Sequence, residues 1–481
     1  MKPFRILNIS LVFFLLVSLS SNPCLAISIP EEKEVGKEFI AMIKKRQMLL
    51  YDPISSHMVN EIGHHILSYL PPQPFDYSFY VVNADVFNAF AAPGANIFAY
   101  RGLITALDSV DELAGIIGHE IAHAASRHVS ESIDRSKYIS IGSLAGVLAG
   151  ILVGSKSGAN AAGTLIKGSL ALGQTAMLAF TRENETEADE KGIMFLKESC
   201  YSPEGLLSGL MKIRESDFRG VENIPDYVKT HPGTGSRIAH VETILSGYKP
   251  SKERPSCRED LRFEMVKYRL MGLYGQIEPT HEKLTLLLEK DPDNAALHYG
   301  MGLIYDRKFR KTEALSHLKK ALSINVFDPM ILLELGRIYQ ENGEAQKALD
   351  VLKAIDQEPV LGVMARFHEA AAHLELRNMK QAESLFNFVI EKAPLAYPEA
   401  YYNLANIMSI QNRVDFSHYY LGLFYSETGN VKNAITHLTK AMESLSDNEK
   451  FNRAKELREK LVKEEREEME EREKRSRKPR L

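Results

Sequence analysis

The stretch His119-Glu120-Ile121-Ala122-His123 places two histidines four positions apart, with a glutamate directly after the first. Apolar residues recur around it at helical spacing, and Ser109 and Glu112 have the spacing of a capping box, so the sequence predicts a helix. On a helix the two imidazoles share one face, where they can bind one zinc ion with the glutamate beside the metal's open position. Such a short motif also arises by chance, so surface histidines remain the alternative for this stretch alone.

A second stretch, Glu185-Thr186-Glu187-Ala188-Asp189, offers the third protein ligand that a catalytic zinc site needs. We predict Glu185 as that ligand. Asp189 lies one turn further along the same helical face, where it can accept the N–H of a zinc-bound histidine and fix its tautomer. Taken alone, the stretch is more typical of a solvated acidic helix start, which the helix dipole favours.

The two motifs together resemble the CAAX-prenyl-protease and HtpX-like zinc metallopeptidases of the gluzincin type, in which H-E-x-x-H is followed by E-x-x-x-D on a later helix. The resemblance extends to residues 88–94 and 231–237 and covers residues 30–250. It implies an α+β, mainly helical fold, with a small sheet in the peptidase domain and one Zn²⁺ ion per chain. The implied zinc ligands are His119, His123 and Glu185.

The resemblance also implies catalytic roles. Glu120 would take the proton of the attacking water and pass it to the leaving amine. Asp189 would orient a ligand. His231 and Arg237 would either stabilise the oxyanion or control access to zinc, and we expect His231 to ligate zinc in a resting state.

Two strands are predicted before the zinc helix, at residues 75–82 and, after the turn at Pro93-Gly94, at residues 95–100. In gluzincin peptidases the strand beside the zinc helix binds extended substrate by backbone pairing. That role would fall to Asn96, Ile97, Phe98 and Ala99. Pairing of this kind needs no particular substrate side chains, which suits unfolded polypeptides. An ordinary core hairpin is the alternative.

Residues 1–26 have the features of a signal peptide, with a basic start, an apolar stretch and a small-residue cleavage site. The mature chain then keeps Cys200 and Cys257. In an oxidising compartment these form either a disulfide or two separate buried thiols. A net charge of −4 gives no indication of a nucleic-acid partner.

A metallopeptidase domain is predicted at residues 27–255. Within it, residues 138–180 are mostly apolar or small, which predicts a helical hairpin whose apolar runs are short for a membrane span. This hairpin would cover the active site, contact a membrane or a hydrophobic client, or simply be buried.

A tetratricopeptide-repeat domain is predicted at residues 265–446, because small and aromatic residues recur there with a period of 34. Gly302 and Gly336 mark two equivalent positions. The register slips before Gly422, which predicts an irregular unit with a single helix at 399–411. Residues 447–481 form a charged tail, either a mixed-charge helix or disordered.

These features, with the family resemblance, predict a zinc metalloendopeptidase secreted to the periplasm, peripheral to the outer membrane, that degrades misfolded or stalled outer-membrane proteins. The repeats would bind clients or the outer-membrane assembly machinery, and contact with a membrane surface is a further expectation. One alternative is a chaperone or assembly scaffold with a latent peptidase site. Another is a purely structural zinc ion, against which the position of Glu120 argues.

Overall fold

The computed structural model describes residues 27–135, 180–218, 227, 230–249, 262–355 and 359–476. The chain divides into two compact units, Met1–Gly275 and Gln276–Leu481. The predicted signal peptide and, apart from Phe180, the predicted hairpin at 138–180 lie outside the described residues. Cys200 is disulfide-bonded, which excludes a free thiol there, and Cys257 lies outside the described residues.

The first unit combines a small sheet with helices, as the sequence predicts. Its described strands are β1 (Ser78–Val82), β2 (Ala89–Ala92) and β3 (Asn96–Tyr100). Its described helices are α1 (Ile29–Lys45), α2 (Pro53–Leu67), α3 (Arg101–Ala106), α4 (Val110–Ala125), α5 (His128–Arg135), α6 (Arg182–Glu198), α7 (Glu204–Phe218), α8 (Thr234–Leu245) and α9 (Phe263–Tyr274).

The strand order in the sheet is β1-β3-β2, with β3 parallel to β1 and antiparallel to β2. The prediction of a substrate edge at Asn96, Ile97, Phe98 and Ala99 is therefore wrong, because these residues lie in the central strand. Both margins of β3 are already paired, and all five of its residues are buried. Strand β2 was not predicted from the sequence, because its four residues show no alternation of polar and apolar side chains.

Helix α4 is buried on nearly every face, because α6 and α7 pack closely against it. A Cβ atom at Gly192 of α6 would lie 3.2 Å from the backbone nitrogen of His119. A Cβ atom at Gly115 of α4 would lie 2.4 Å from the backbone nitrogen of Leu206, on α7. The approach at Gly115 needs glycine, and a side chain at Gly192 would push α4 and α6 apart by a few tenths of an ångström.

A buried ion pair connects α9 to the start of α2. Asp52 caps α2 by accepting a hydrogen bond from the Ser55 backbone N–H at 2.9 Å. Its other carboxylate oxygen lies 2.9 Å from the Arg269 Nε, and both side chains are almost completely buried. Removing either partner would leave an uncompensated buried charge, so the positions of α9 and α2 are coupled through this contact.

Asp52→Asn is expected to lower the free energy of unfolding by about 3–5 kcal/mol, because it removes the carboxylate charge that pairs with a buried guanidinium. Asparagine is a good N-cap, so the substitution keeps the hydrogen bond to Ser55 and isolates the ion pair. Urea unfolding followed by circular dichroism measures the change. Asp76→Asn, at an exposed position, is the control, and equal stability of the two variants would refute the assignment.

The second unit is helical throughout the residues described. Its helices are α10 (Ile277–Lys290), α11 (Ala295–Arg307), α12 (Lys311–Ile324), α13 (Pro329–Glu341), α14 (Ala345–Leu352), α15 (Pro359–Glu375), α16 (Met379–Lys392), α17 (Pro398–Ile410), α18 (Val414–Glu427), α19 (Val431–Met442) and α20 (Asn448–Ser476). The predicted mainly helical α+β fold is confirmed. The single helix expected near 399–411 is α17, and the charged tail is helical as far as Ser476.

A recurring contact explains the sequence repeat of the second unit. A Cβ atom at Gly302 would lie 2.8 Å from the Leu318 side chain, and one at Gly336 would lie 2.4 Å from Leu352. Each glycine thus lets the two helices of a repeat approach closely. No helix in the parts of the chain described is both long and apolar enough to cross a membrane.

Candidate metal centre

Helix α4 begins as its sequence predicts, with one difference at the cap. The Ser109 hydroxyl accepts a hydrogen bond from the Glu112 backbone N–H at 3.2 Å. The Glu112 carboxylate accepts from the backbone N–H of Asp108, one residue earlier than a capping box requires, at 2.7 Å. The start of the helix is thereby fixed, and His119 and His123 both point into the protein with no exposed surface.

Helix α6 supplies the acidic groups. Thr181 and Asn184 form a capping box at its start, and the turns that follow bury Glu185 and Asp189 completely. Glu187 points the other way and stays about half exposed. The alternative of a solvated acidic helix start therefore applies only to Glu187. The carboxylates of Glu185 and Asp189 face α4.

Four side chains could hold a metal ion, and one ligand atom from each lies within 4.8 Å of all the others. They are His119, His123, Glu185 and His231. The Nε2 atoms of the first two are 3.0 Å apart. The Glu185 carboxylate lies 3.5 Å from the Nε2 of His119 and 3.4 Å from that of His123.

Asp189 and Arg237 surround this group. The Nδ1 atom of His119 lies 2.8 Å from the Asp189 carboxylate, so its N–H donates there and its Nε2 faces the candidate ligands. Arg237 donates two hydrogen bonds to Asp189, at 2.8 and 2.7 Å. Its third nitrogen lies 2.7 Å from Glu185. The guanidinium thus connects one candidate ligand to the carboxylate that orients another.

His231 reaches the site from the segment before α8. The chain turns at Gly233, whose φ of 85° is left-handed and favours glycine, and the helix starts at the next residue. Tyr227 stacks on the His231 ring at 4.4 Å. The Nδ1 atom of His231 is 3.1 Å from Glu185, and its Nε2 is 3.6 Å from Glu120.

The surroundings move the two glutamate pKa values in opposite directions. Burial raises the pKa of Glu120, although the charges of His231 and His119 oppose this effect. Burial also acts to raise the pKa of Glu185, but the charges of His231 and Arg237 outweigh it and hold that pKa well below its usual range. Glu185 is thus an ionised group suited to a cation, and Glu120 is suited to accept a proton.

The donor set fits zinc, because imidazole nitrogen and carboxylate oxygen are its common protein ligands. Several buried atoms around the group find no hydrogen-bond partner among the described residues, and three of them face the space beside the candidate ligands. These are both carboxylate oxygens of Glu120 and the Nε2 of His231. Buried polar atoms are normally paired, so a bound ion and its water would satisfy them.

Three further residues contact the site and were not predicted from the sequence. Phe180 stacks on the His123 ring at 3.9 Å. Tyr227 packs on His231, and His128 lies with its Nδ1 atom 2.9 Å from the Nδ1 of His123. Only His128 carried a usable signal, since it follows the second histidine of the motif by five positions.

A zinc metallopeptidase site is defined by two histidines on one buried helix, a glutamate on a second helix, and a further glutamate beside them whose carboxylate makes no hydrogen bond to the described residues. Comparison with known proteins agrees. Residues 57–245 match the model of Peptidase family M48, and residues 295–325 match a tetratricopeptide repeat. The chain therefore carries an M48 peptidase domain and is a zinc metalloendopeptidase that acts on polypeptides.

The chain also resembles curated proteins along most of its length. It is 28% identical to the Beta-barrel assembly-enhancing protease of Yersinia pestis, over 80% of this chain and 78% of that protein. It is 25% identical to the protein of the same name from Escherichia coli K12, over 68% of this chain and 73% of that protein. The Mitochondrial metalloendopeptidase OMA1 of Schizosaccharomyces pombe is 24% identical, over 48% of this chain and 66% of that protein.

Proposed function

We propose that this protein is a periplasmic zinc metalloendopeptidase that degrades misfolded or stalled outer-membrane proteins and binds clients or partners through its repeats. The observation that carries the proposal is the buried group of His119, His123 and Glu185, beside which Glu120 has no hydrogen-bond partner among the residues described. The signal-peptide features of residues 1–26 support the location. The names of the bacterial relatives support a link to β-barrel proteins.

His119, His123 and Glu185 would hold the metal, and zinc bound there polarises a carbonyl and lowers the pKa of a water molecule. Glu120 takes the proton of the attacking water on a carboxylate oxygen. It then delivers that proton to the leaving amine. Burial raises the pKa of Glu120, which favours its carboxyl group holding the proton between these two steps.

Arg237 acts in this proposal as a positioning residue. Its guanidinium is occupied by the Glu185 and Asp189 carboxylates, so it fixes the third ligand and the partner of His119. This arrangement favours a role in holding the ligands over direct stabilisation of an oxyanion.

Extended substrate would pair with β2 instead of β3. Strand β2 lies at one margin of the sheet and packs against α4, the helix that carries both histidines. It runs antiparallel to β3, so the backbone N–H and C=O groups of alternate residues in 89–92 point towards β3 and away from it. Backbone pairing at this margin would suit unfolded clients of many sequences.

His231 would close the site in a resting state. Its position among the candidate ligands, with no exposed surface, supports a fourth ligand that displaces the catalytic water. His231→Ala is therefore expected to raise steady-state proteolysis several-fold at saturating zinc, since more molecules would be open to substrate. Casein cleavage and zinc content of one preparation measure both effects.

His240→Ala is the matched control, because His240 is a partly exposed histidine on α8 that pairs with Glu190. It should leave the rate unchanged. Near-complete loss of activity in His231→Ala with zinc still bound would contradict the gate and favour oxyanion stabilisation by this residue.

Incubation with unfolded outer-membrane proteins and with an unfolded soluble protein tests the function as a whole. Chelator-sensitive cleavage of the outer-membrane proteins is expected, and Glu120→Gln should not cleave them. Binding of these clients without cleavage, under conditions where His231→Ala is also inactive, would favour the chaperone or scaffold alternative.

A further inference from the structure

His123 makes a second contact on the side of its ring away from the candidate metal ligands. Its Nε2 faces His119 and Glu185, and its Nδ1 lies 2.9 Å from the Nδ1 of His128. The two rings cross at 75°. The Nε2 of His128 lies 3.3 Å from a carboxylate oxygen of Glu187. A continuous line of hydrogen-bonding atoms therefore runs from a buried candidate ligand to a half-exposed carboxylate.

Only one arrangement of protons satisfies this line when a metal is bound. A ligating imidazole is neutral and offers a lone pair, so His123 with its Nε2 on the metal carries its proton on Nδ1. That N–H must donate to the Nδ1 of His128, which therefore carries its own proton on Nε2. The second N–H then donates to Glu187, which can only accept.

The backbone is built to hold His128 in this place. Helix α4 ends at Ala125 with Ser126 as its C-cap, Arg127 adopts a left-handed φ of 56°, and α5 starts at His128. The strained Arg127 is held by Glu32, whose carboxylate lies 3.0 Å from its Nε. Ser130 donates to the same carboxylate. A buried acid on α1 thus fixes the turn that brings His128 back beneath His123.

Glu187 is also fixed. Its other carboxylate oxygen lies 2.6 Å from the Lys191 ammonium and accepts from the Ser126 hydroxyl at 3.2 Å. Lys191 in turn donates to the same hydroxyl at 2.8 Å. Because these contacts join α6 to the end of α4, the carboxylate stays within reach of His128 despite its exposure.

We propose that His128 and Glu187 form a relay that fixes the tautomer and orientation of His123 and strengthens its bond to zinc. This inference rests on the proposed ligand set. The other histidine has a direct version of the same device, since His119 donates to Asp189 at 2.8 Å. Helix α6 then supplies one zinc ligand and the carboxylates that orient both of the others. His128 is a positioning residue that does not touch substrate.

Zinc dissociation constants measured by chelator competition on the full chain test the relay. His128→Leu removes the acceptor and is expected to weaken zinc binding by about 10- to 100-fold, as loss of a partner behind a metal ligand does. His128→Asn, whose amide oxygen can take the place of Nδ1, should recover most of that loss. Glu187→Gln should weaken binding less than His128→Leu does. Absorption spectra of the Co²⁺-loaded proteins should shift in the same order.

Glu190→Gln is the matched control, because Glu190 is an exposed α6 glutamate that also pairs with a histidine. Its zinc affinity and spectrum should equal those of the parent. Zinc affinity and spectra equal to those of the parent in both His128→Leu and Glu187→Gln would overturn the relay. An equal loss of zinc affinity in His128→Asn and His128→Leu would also overturn it. If His128→Leu does not fold, unchanged affinity in Glu187→Gln overturns it. Zinc loss in Glu185→Ala tests the ligand set separately.

Discussion

Glu120→Gln is expected to slow peptide hydrolysis by about 10²- to 10⁴-fold while zinc remains bound. Glutamine keeps the shape of the side chain but its amide cannot take a proton from water. No carboxylate oxygen of Glu120 has a hydrogen-bond partner among the residues described, so the substitution breaks no contact that holds the fold. The loss should therefore appear in the chemical step and not in metal content.

Cleavage of casein, zinc content by atomic absorption and melting temperature, all on one preparation, separate these effects. Glu120 also lies 3.6 Å from His231, so the double variant with His231→Ala shows whether the resting state masks the result. Full activity of Glu120→Gln in either background would refute its role as the base.

Glu185→Ala is expected to remove zinc and all proteolysis together. It takes away a candidate ligand whose pKa is held well below its usual range by the charges of His231 and Arg237, against the effect of burial. The loss of zinc affinity should exceed the about 10- to 100-fold that an outer partner contributes. Zinc content after dialysis, compared between parent and variant, gives the result.

Glu187→Gln is the informative comparison, since it changes a glutamate of the same helix that lies outside the candidate ligand group. It should retain far more zinc than Glu185→Ala. If only the Glu187 variant lost its metal, the ligand position on α6 would be wrong. Melting curves of the zinc-free proteins show whether Glu185→Ala also unfolds the site, because Arg237 would lose one of its two carboxylates.

Much of the site follows from the sequence because its central parts are local. The four-residue spacing of His119 and His123, and of Glu185 and Asp189, gives a shared helical face whatever the rest of the chain does. The cap at Ser109 and the close packing at Gly192 follow from residue types within one or two turns. The same holds for the repeats, where a small residue recurs at each helix crossing.

The errors concern non-local structure. The order of strands in a sheet depends on which segments meet, and a pattern of apolar residues does not specify this, so β3 was placed at the edge. Strand β2 consists of three alanines and one phenylalanine. It therefore lacks the alternation of polar and apolar residues by which a half-buried strand is predicted. The contacts of His128 depend on the left-handed turn at Arg127, and those of Tyr227 and Phe180 join residues that are far from the two motif histidines in the sequence.

The buried charges around the zinc group have a consequence for electroneutrality. Glu120, Glu185 and Asp189, when ionised, carry three negative charges, and Arg237 carries the one permanent positive charge among their contacts. A divalent cation cancels the remaining two. The loaded site is thus balanced as a whole. Without the ion, protons can take its place, because burial raises the pKa of Glu120 and the charge of Asp189, against the effect of burial, raises that of His119.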